Sequence, residues 1–346
     1  MPLHDQDKTA SGETMNSDGK PKRIDPHVHC RDWSQSYKAT ISEVMSLAKS
    51  QGIVAICDMP NTEPPLTTAN RVESRLITAE REKCLDGYYL WVGATSDEKQ
   101  LRNAASIVQD NDHVVGIKMY AGKSTGDLAI VSEESQRLVY STLADAGYQG
   151  VIVVHCEKES LSKYNLWNPN VPVSWSTVKP PEAEVESVRD QIRFAADAGF
   201  KGQLHIGHTS VPESVRLVDK ARRHMRISCE VTPHHLLLST DKDMQDTRAT
   251  IYKVNPPIRN AAMAQELTQM LKDGMIDWIG TDHAPHSKFE KEFNASKSPD
   301  AYASGIRSLE FYAKFLDDLM NINGFTESQI KKLTYTNIKK ALKVRE

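Results

Sequence analysis

Eight short runs rich in Val and Ile recur along the chain, and most are followed by an amphipathic stretch long enough for a helix. The runs cover residues 24–29, 52–57, 88–93, 114–119, 151–155, 203–207, 227–231 and 276–280, mostly bounded by Gly, Asp or Pro. Helical spacing of apolar residues falls near 40–50, 69–83, 97–109, 133–146, 184–198, 212–224 and 261–273. A final helical pair is predicted over about 307–321 and 326–340. Thr68 and Ser132 stand where helix N-caps are expected. Such alternation permits a closed (β/α)8 barrel or an open, doubly wound sheet. No G-x-G-x-x-G follows the first run, and no Walker-type phosphate loop is present.

The positions of the polar residues decide between the two. His29, Lys118, His155, His205 and Asp282 each lie at or within about two residues of the C-terminal end of a different run. In a barrel those ends converge on one mouth, where active sites form; an open sheet would spread them along a line. The expected fold is therefore an α/β, TIM-type (β/α)8 barrel. Three connections are unusually long, at about 120–132, 157–183 and 232–260, and all follow strand ends on that same face.

At 346 residues the chain can bury one large core, or two ordinary ones. A formal net charge of −3 gives no electrostatic reason to expect nucleic acid or an anionic membrane as a partner. No apolar run approaches the roughly 20 residues of a membrane span. Residues 1–22 are polar and read as a disordered tail, with the barrel and its C-terminal helices expected over 23–346. The five cysteines show no C-x-x-C spacing, so neither a disulfide framework nor a thiolate zinc site is expected, and a reducing cytoplasm fits best.

In Asp25-Pro26-His27-Val28-His29, alternation along a strand sends both histidines to one side and Val28 to the other. Two adjacent imidazoles make one edge of a shell suited to a metal such as Zn²⁺. Lys118 ends an apolar run, where an unpaired charge would be costly. A lysine with depressed pKa can react as the neutral amine with carbon dioxide, giving a carbamate able to bridge two metals. His155 and His205 end their own strands, and His208 is a neighbouring candidate behind them. Asp282 can ligate a metal and also accept a proton from water. Arg31, Asn61, Asn255 and His286 follow strand ends as substrate-binding candidates, the arginine being suited to a carboxylate.

The segments DPHVHCRD, DMPNTEPP, GIKMY, VVHCE, LHIGH, CEVTPHHL, VNPPIR and GTDHAPH, in this order from about residue 24 to 310, resemble the dihydroorotases of the amidohydrolase superfamily. The resemblance implies two Zn²⁺ per subunit. His27, His29 and Asp282 would hold one, and His155 and His205 the other. Carboxylated Lys118 and a hydroxide would bridge them. It further implies reversible hydrolysis of L-dihydroorotate to N-carbamoyl-L-aspartate in pyrimidine biosynthesis, with Asp282 as general base and acid. Arg31, Asn61 and His286 would hold the substrate carboxylate and Asn255 would contact the ring. Gly122–Gly126 resembles a mobile substrate loop.

The segment 303–310 matches the family's carboxylate-contacting loop only in part, and no β-sandwich domain is expected. Allantoinases and dihydropyrimidinases share the barrel and the metal residues. The Met59-Pro60-Asn61 run, without an inserted leucine, and Arg31 favour dihydroorotase over both. An inactive homologue acting as a structural partner would have lost ligands that stand intact here. The expected partners are a small-molecule substrate and either a second copy of the chain, as a homodimer, or aspartate transcarbamoylase.

Overall fold

Each Val/Ile-rich run forms a strand: β1 Arg23–Val28, β2 Ile53–Asp58, β3 Tyr88–Gly93, β4 Val114–Ala121, β5 Val151–Cys156, β6 Gln203–Ile206, β7 Ile227–Val231 and β8 Trp278–Ile279. The structure, a computed structural model, describes residues 21–124, 126–292 and 298–345. Most of the expected tail, and Thr125 of the expected substrate loop, lie outside the described residues. The strands pair in chain order, all parallel. A bridge between Val28 and His283 brings the last strand back to the first, with His29 N–H donating to the His283 carbonyl at 2.8 Å. The Asp25 carboxylate reinforces this seam by accepting from Thr281 N at 3.0 Å and Thr281 Oγ1 at 2.6 Å.

The helices are α1 Ile41–Ser50, α2 Ala69–Arg81, α3 Glu98–Asp110, α4 Glu133–Asp145, α5 Ser174–Val178, α6 Pro181–Asp197, α7 Pro212–Ala221, α8 Pro233–Leu237, α9 Ala261–Lys272, α10 Lys288–Glu292, α11 Tyr312–Asn321, α12 Glu327–Lys331 and α13 Asn337–Leu342. Thr68 caps α2 by accepting from Arg71 N, and Ser132 caps α4 by accepting from Ser135 N. Two of the long connections carry short helices, α5 and α8. The helix expected from 307 opens as a tight turn over Ser308–Phe311 and becomes α-helical only at Tyr312. The last predicted helix is α12 joined to α13 through a π-helical segment, Lys332–Thr336.

Alternation divides the apolar residues into two bodies. Ile56, Leu90, Ile117, Val154, Ile206 and Ile279 face outward and pack against the helices. Cys57, Trp91, Val153 and Trp278 face inward, where Tyr335 of the π-helical segment, Ile338 and Leu342 of α13, and Val344 just after it join them. Gly116 has no side chain because a Cβ there would lie 2.6 Å from the Trp91 ring. This packed floor leaves the opposite mouth, at the strand C-termini, for polar side chains.

Candidate active site

His27 and His29 enter the mouth from the end of β1, and Asp282 meets them from just beyond β8. His27 Nε2 and His29 Nε2 lie 3.3 and 2.9 Å from Asp282 Oδ1. Ligand atoms of these three buried residues all fall within 4.8 Å of one another, a grouping that can hold a metal ion. Asp282 takes a left-handed φ of +47°, which turns its side chain back over the barrel axis. Burial would raise its pKa, but the two histidines outweigh that effect and hold it well below the usual carboxylate range. Burial lowers the pKa of His29. An ionised carboxylate beside a neutral imidazole is the protonation state that metal binding needs.

Lys118 and His155 face the same cavity from β4 and β5. The Lys118 Nζ is fully buried and, among the described residues, has no hydrogen-bond partner. Burial brings its pKa down to about 8. His155 Nε2 bonds to Glu157 Oε2 at 2.9 Å, and its Nδ1 faces His208 Nε2 at 3.0 Å.

The sixth strand places His205 differently from the expectation. His205 does face inward, but one layer too deep. Its ring stacks on Trp278 at 3.7 Å and its Nδ1 lies 2.7 Å from Ser228 Oγ, below the cavity. His208 lines the cavity instead. β6 ends at Ile206, so counting by twos stops there, and a φ of +36° at His208 swings its ring over the mouth.

Arg31 and Asn61 also line the cavity, as do Asn255, Ser304 and Gly305 from the later connections. Arg31 is 2% exposed; its Nε donates to the Pro285 carbonyl at 3.2 Å, and an Nη lies 3.1 Å from His286 Nε2. Among the described residues no carboxylate forms an ion pair with it. Asn61 Oδ1 lies 2.7 Å from His29 Nδ1, so it orients a histidine as well as facing the cavity. Asn255 Oδ1 accepts from Trp175 Nε1 at 3.1 Å. His286 lines an adjoining cavity of about 380 Å³, which shares Ser124, Asn255 and Ser304 with the first.

Tyr120, Glu157 and Glu230 were missed in the sequence. Tyr120 lines the cavity. Glu157 joins His155 to the buried Lys179 ammonium, 2.6 Å away. Glu230 ends β7 beneath the histidines, 1% exposed. Its signal lies in the run ISCEV, where a buried-strand acid one residue from the end is the counterpart of the lysine in VVGIKM.

No family model matches the chain. Individual relatives do. The chain is 31% identical to a dihydroorotase from Halobacterium salinarum over 84% of its length, and spans 64% of that protein. It is 31% identical to a dihydroorotase from Syntrophobacter fumaroxidans over 89% of its length, spanning 67% of that protein. Among solved structures, an L-hydantoinase (dihydropyrimidinase) from Arthrobacter aurescens superposes on 93% of the chain with a TM-score of 0.78 at 24% identity, covering 70% of that structure. A dihydroorotase from Campylobacter jejuni covers 94% of the chain, and 84% of its own, with a TM-score of 0.69 at 17% identity. These two likenesses establish the TIM-type barrel. With the sequence relatives, the ordered segments around the barrel mouth place this chain in the dihydroorotase family.

Proposed function

We propose that the chain hydrolyses L-dihydroorotate reversibly to N-carbamoyl-L-aspartate, using two Zn²⁺ ions at the barrel mouth. The observation that carries this reading is Lys118 Nζ, buried without a partner among cavity-lining His27, His29, His155, His208 and Asp282. A buried ammonium alone there would be costly. Addition of its neutral amine to carbon dioxide forms an N–C bond, releases one proton and yields an anionic carbamate facing both histidine pairs. The proposed ligands are His27, His29 and Asp282 for one metal and His155 and His208 for the other, with carboxylated Lys118 between them. His208 replaces His205 in this set because it lines the cavity.

Zinc bound there would polarise the ring amide carbonyl and lower the pKa of water enough for attack near neutral pH. Asp282, ionised and held by two imidazoles, is placed to take the proton of the attacking water and return it to the leaving ring nitrogen. Arg31, buried and with no ion-paired carboxylate among the described residues, pairs with the substrate carboxylate, aided by Asn61 and His286. Asn255 faces the ring. Five free, buried cysteines support a cytoplasmic setting. A homodimer or a complex with aspartate transcarbamoylase is proposed with this activity, and sedimentation of the chain alone and with that enzyme tests both.

The deciding experiment measures zinc content beside turnover of dihydroorotate, allantoin and dihydrouracil. Dihydroorotate should be fastest, at two zinc ions per chain. Faster turnover of either rival overturns the substrate, and a metal-free protein that stays inactive after zinc is added overturns the activity.

A further inference from the structure

We propose that Glu230 is a positioning residue, fixing the tautomer of His27 and the place of His208, so that one carboxylate sets the geometry of both halves of the metal centre. This rests on the reading of His27 and His208 as ligands.

A carboxylate only accepts hydrogen bonds. Glu230 Oε1 is in short contact with His27 Nδ1, so that nitrogen carries a proton and Nε2 is the atom left to face a metal. Nε2 is the atom turned toward Asp282, 3.3 Å away. The same oxygen accepts the backbone N–H of His208 at 3.1 Å, anchoring the left-handed turn that brings the His208 ring over the cavity.

The other oxygen, Oε2, faces His205 Nε2 at 3.5 Å. Behind it, Ser228 Oγ accepts from Gln203 Nε2 at 2.7 Å and meets His205 Nδ1 at 2.7 Å. With Ser228 donating to Nδ1, the His205 N–H points at Glu230. The groups running up through β6 and β7 thus turn toward this carboxylate from below without a hydrogen bond, while His27 bonds to it from above.

The backbone is shaped around the group. A Cβ on Gly280 would lie 2.8 Å from Glu230 Oε2, and one on Gly207 would lie 3.4 Å from Oε1. The residue directly after β8 is thus a glycine where a side chain would displace the carboxylate. Groups that accept from a metal-bound histidine orient the ring and raise its basicity, and their loss weakens metal binding by roughly 10–100-fold.

The test compares the full chain with Glu230→Gln, each stripped of zinc and titrated back against a competing chelator. The amide keeps the shape and its oxygen can still accept from His208 N–H, but without the negative charge it accepts far more weakly from His27 Nδ1 and no longer raises the basicity of that ring. A fall in zinc affinity of roughly 10–100-fold, with zinc-free melting temperature little changed, supports the proposal. Affinity equal to wild type overturns it, whatever happens to the melting temperature. Should the variant not fold, nitrogen-15 histidine spectra of the zinc-free wild type decide, because a proton on His27 Nε2 rather than Nδ1 overturns the proposal. A wild-type chain that takes up no zinc sinks the ligand reading, while His27 protonated on Nδ1 in that sample still upholds the Glu230 contact.

Discussion

The Nε2 atom of His208 lies 3.0 Å from Nδ1 of His155, two ring nitrogens meeting at the barrel mouth, one from β5 and one from the turn after β6. Burial lowers the pKa of both rings, so neither is held there as a cation. His205, the residue the strand pattern favoured, has no part in this contact.

Replacing His208 by alanine should therefore remove one of two zinc ions and cut turnover by more than about 100-fold. His205→Asn should keep both ions and lose less than about tenfold. Elemental analysis of the two variants beside their rates checks the assignment, and the opposite ranking would restore His205.

Lys118→Ala should abolish the paired metal site, and small carboxylic acids should restore part of the activity by occupying the space of the missing carbamate. Wild-type zinc content and turnover in that variant would rule out the bridge. Labelled bicarbonate should give a carbamate carbon signal in the wild type alone.

Arg31→Gln should raise the KM for dihydroorotate by about 10–100-fold, the loss of a charge-assisted pair worth roughly 1.5–3 kcal/mol. Dihydrouracil, which has no carboxylate, should be turned over no worse than before. An equal loss on both substrates would mean that Arg31 supports the fold rather than the substrate.

The buried Lys179–Glu157 pair makes a prediction about acid. Burial alone would raise the Glu157 carboxyl, but Lys179 and His155 outweigh it and pull it down to about 2. A carboxyl depressed in the folded state adds stability above its unfolded value of about 4.5, and that contribution is lost as pH falls toward 2. Lys179→Met should cost about 3–5 kcal/mol near neutrality, because it strands a buried charge. Denaturant titrations between pH 6 and pH 3 should show a flatter profile for the variant than for the wild type.

Gly280→Ala should destabilise the protein by about 1–3 kcal/mol, since the new methyl group meets the Glu230 carboxylate at 2.8 Å and the His27 Cβ at 3.1 Å. Zinc affinity should fall with it. A variant less stable but with unchanged zinc affinity would separate packing from ligand orientation.

Much of this was legible because apolar strands and their polar ends obey simple counting. His27, His29, Lys118, His155 and Asp282 face one cavity as their strand positions required. What escaped were positions where the count breaks down. His208 stands past the end of β6 in a left-handed conformation, which no period of two describes. Glu230 sits inside an apolar run, and its meaning depends on His27 and His208, distant in sequence. The start of α11 was misjudged for a similar reason. Residues 308–311 form a tight turn in which Leu309 N donates to His283 Nδ1, so a tertiary contact overrides their helical spacing.

The apolar floor beneath the site is completed by Tyr335, Ile338, Leu342 and Val344, which plug a bore lined by strands as early as β1. Arg345 N also donates to the Tyr89 hydroxyl at 2.9 Å, tying this plug to β3. During synthesis all eight strands leave the ribosome before the plug does. Until residues 335–345 dock, the inward faces of the strands, Cys57, Trp91, Val153 and Trp278 among them, lack their apolar cover from below, so the barrel's floor is sealed by residues from beyond its eight strands.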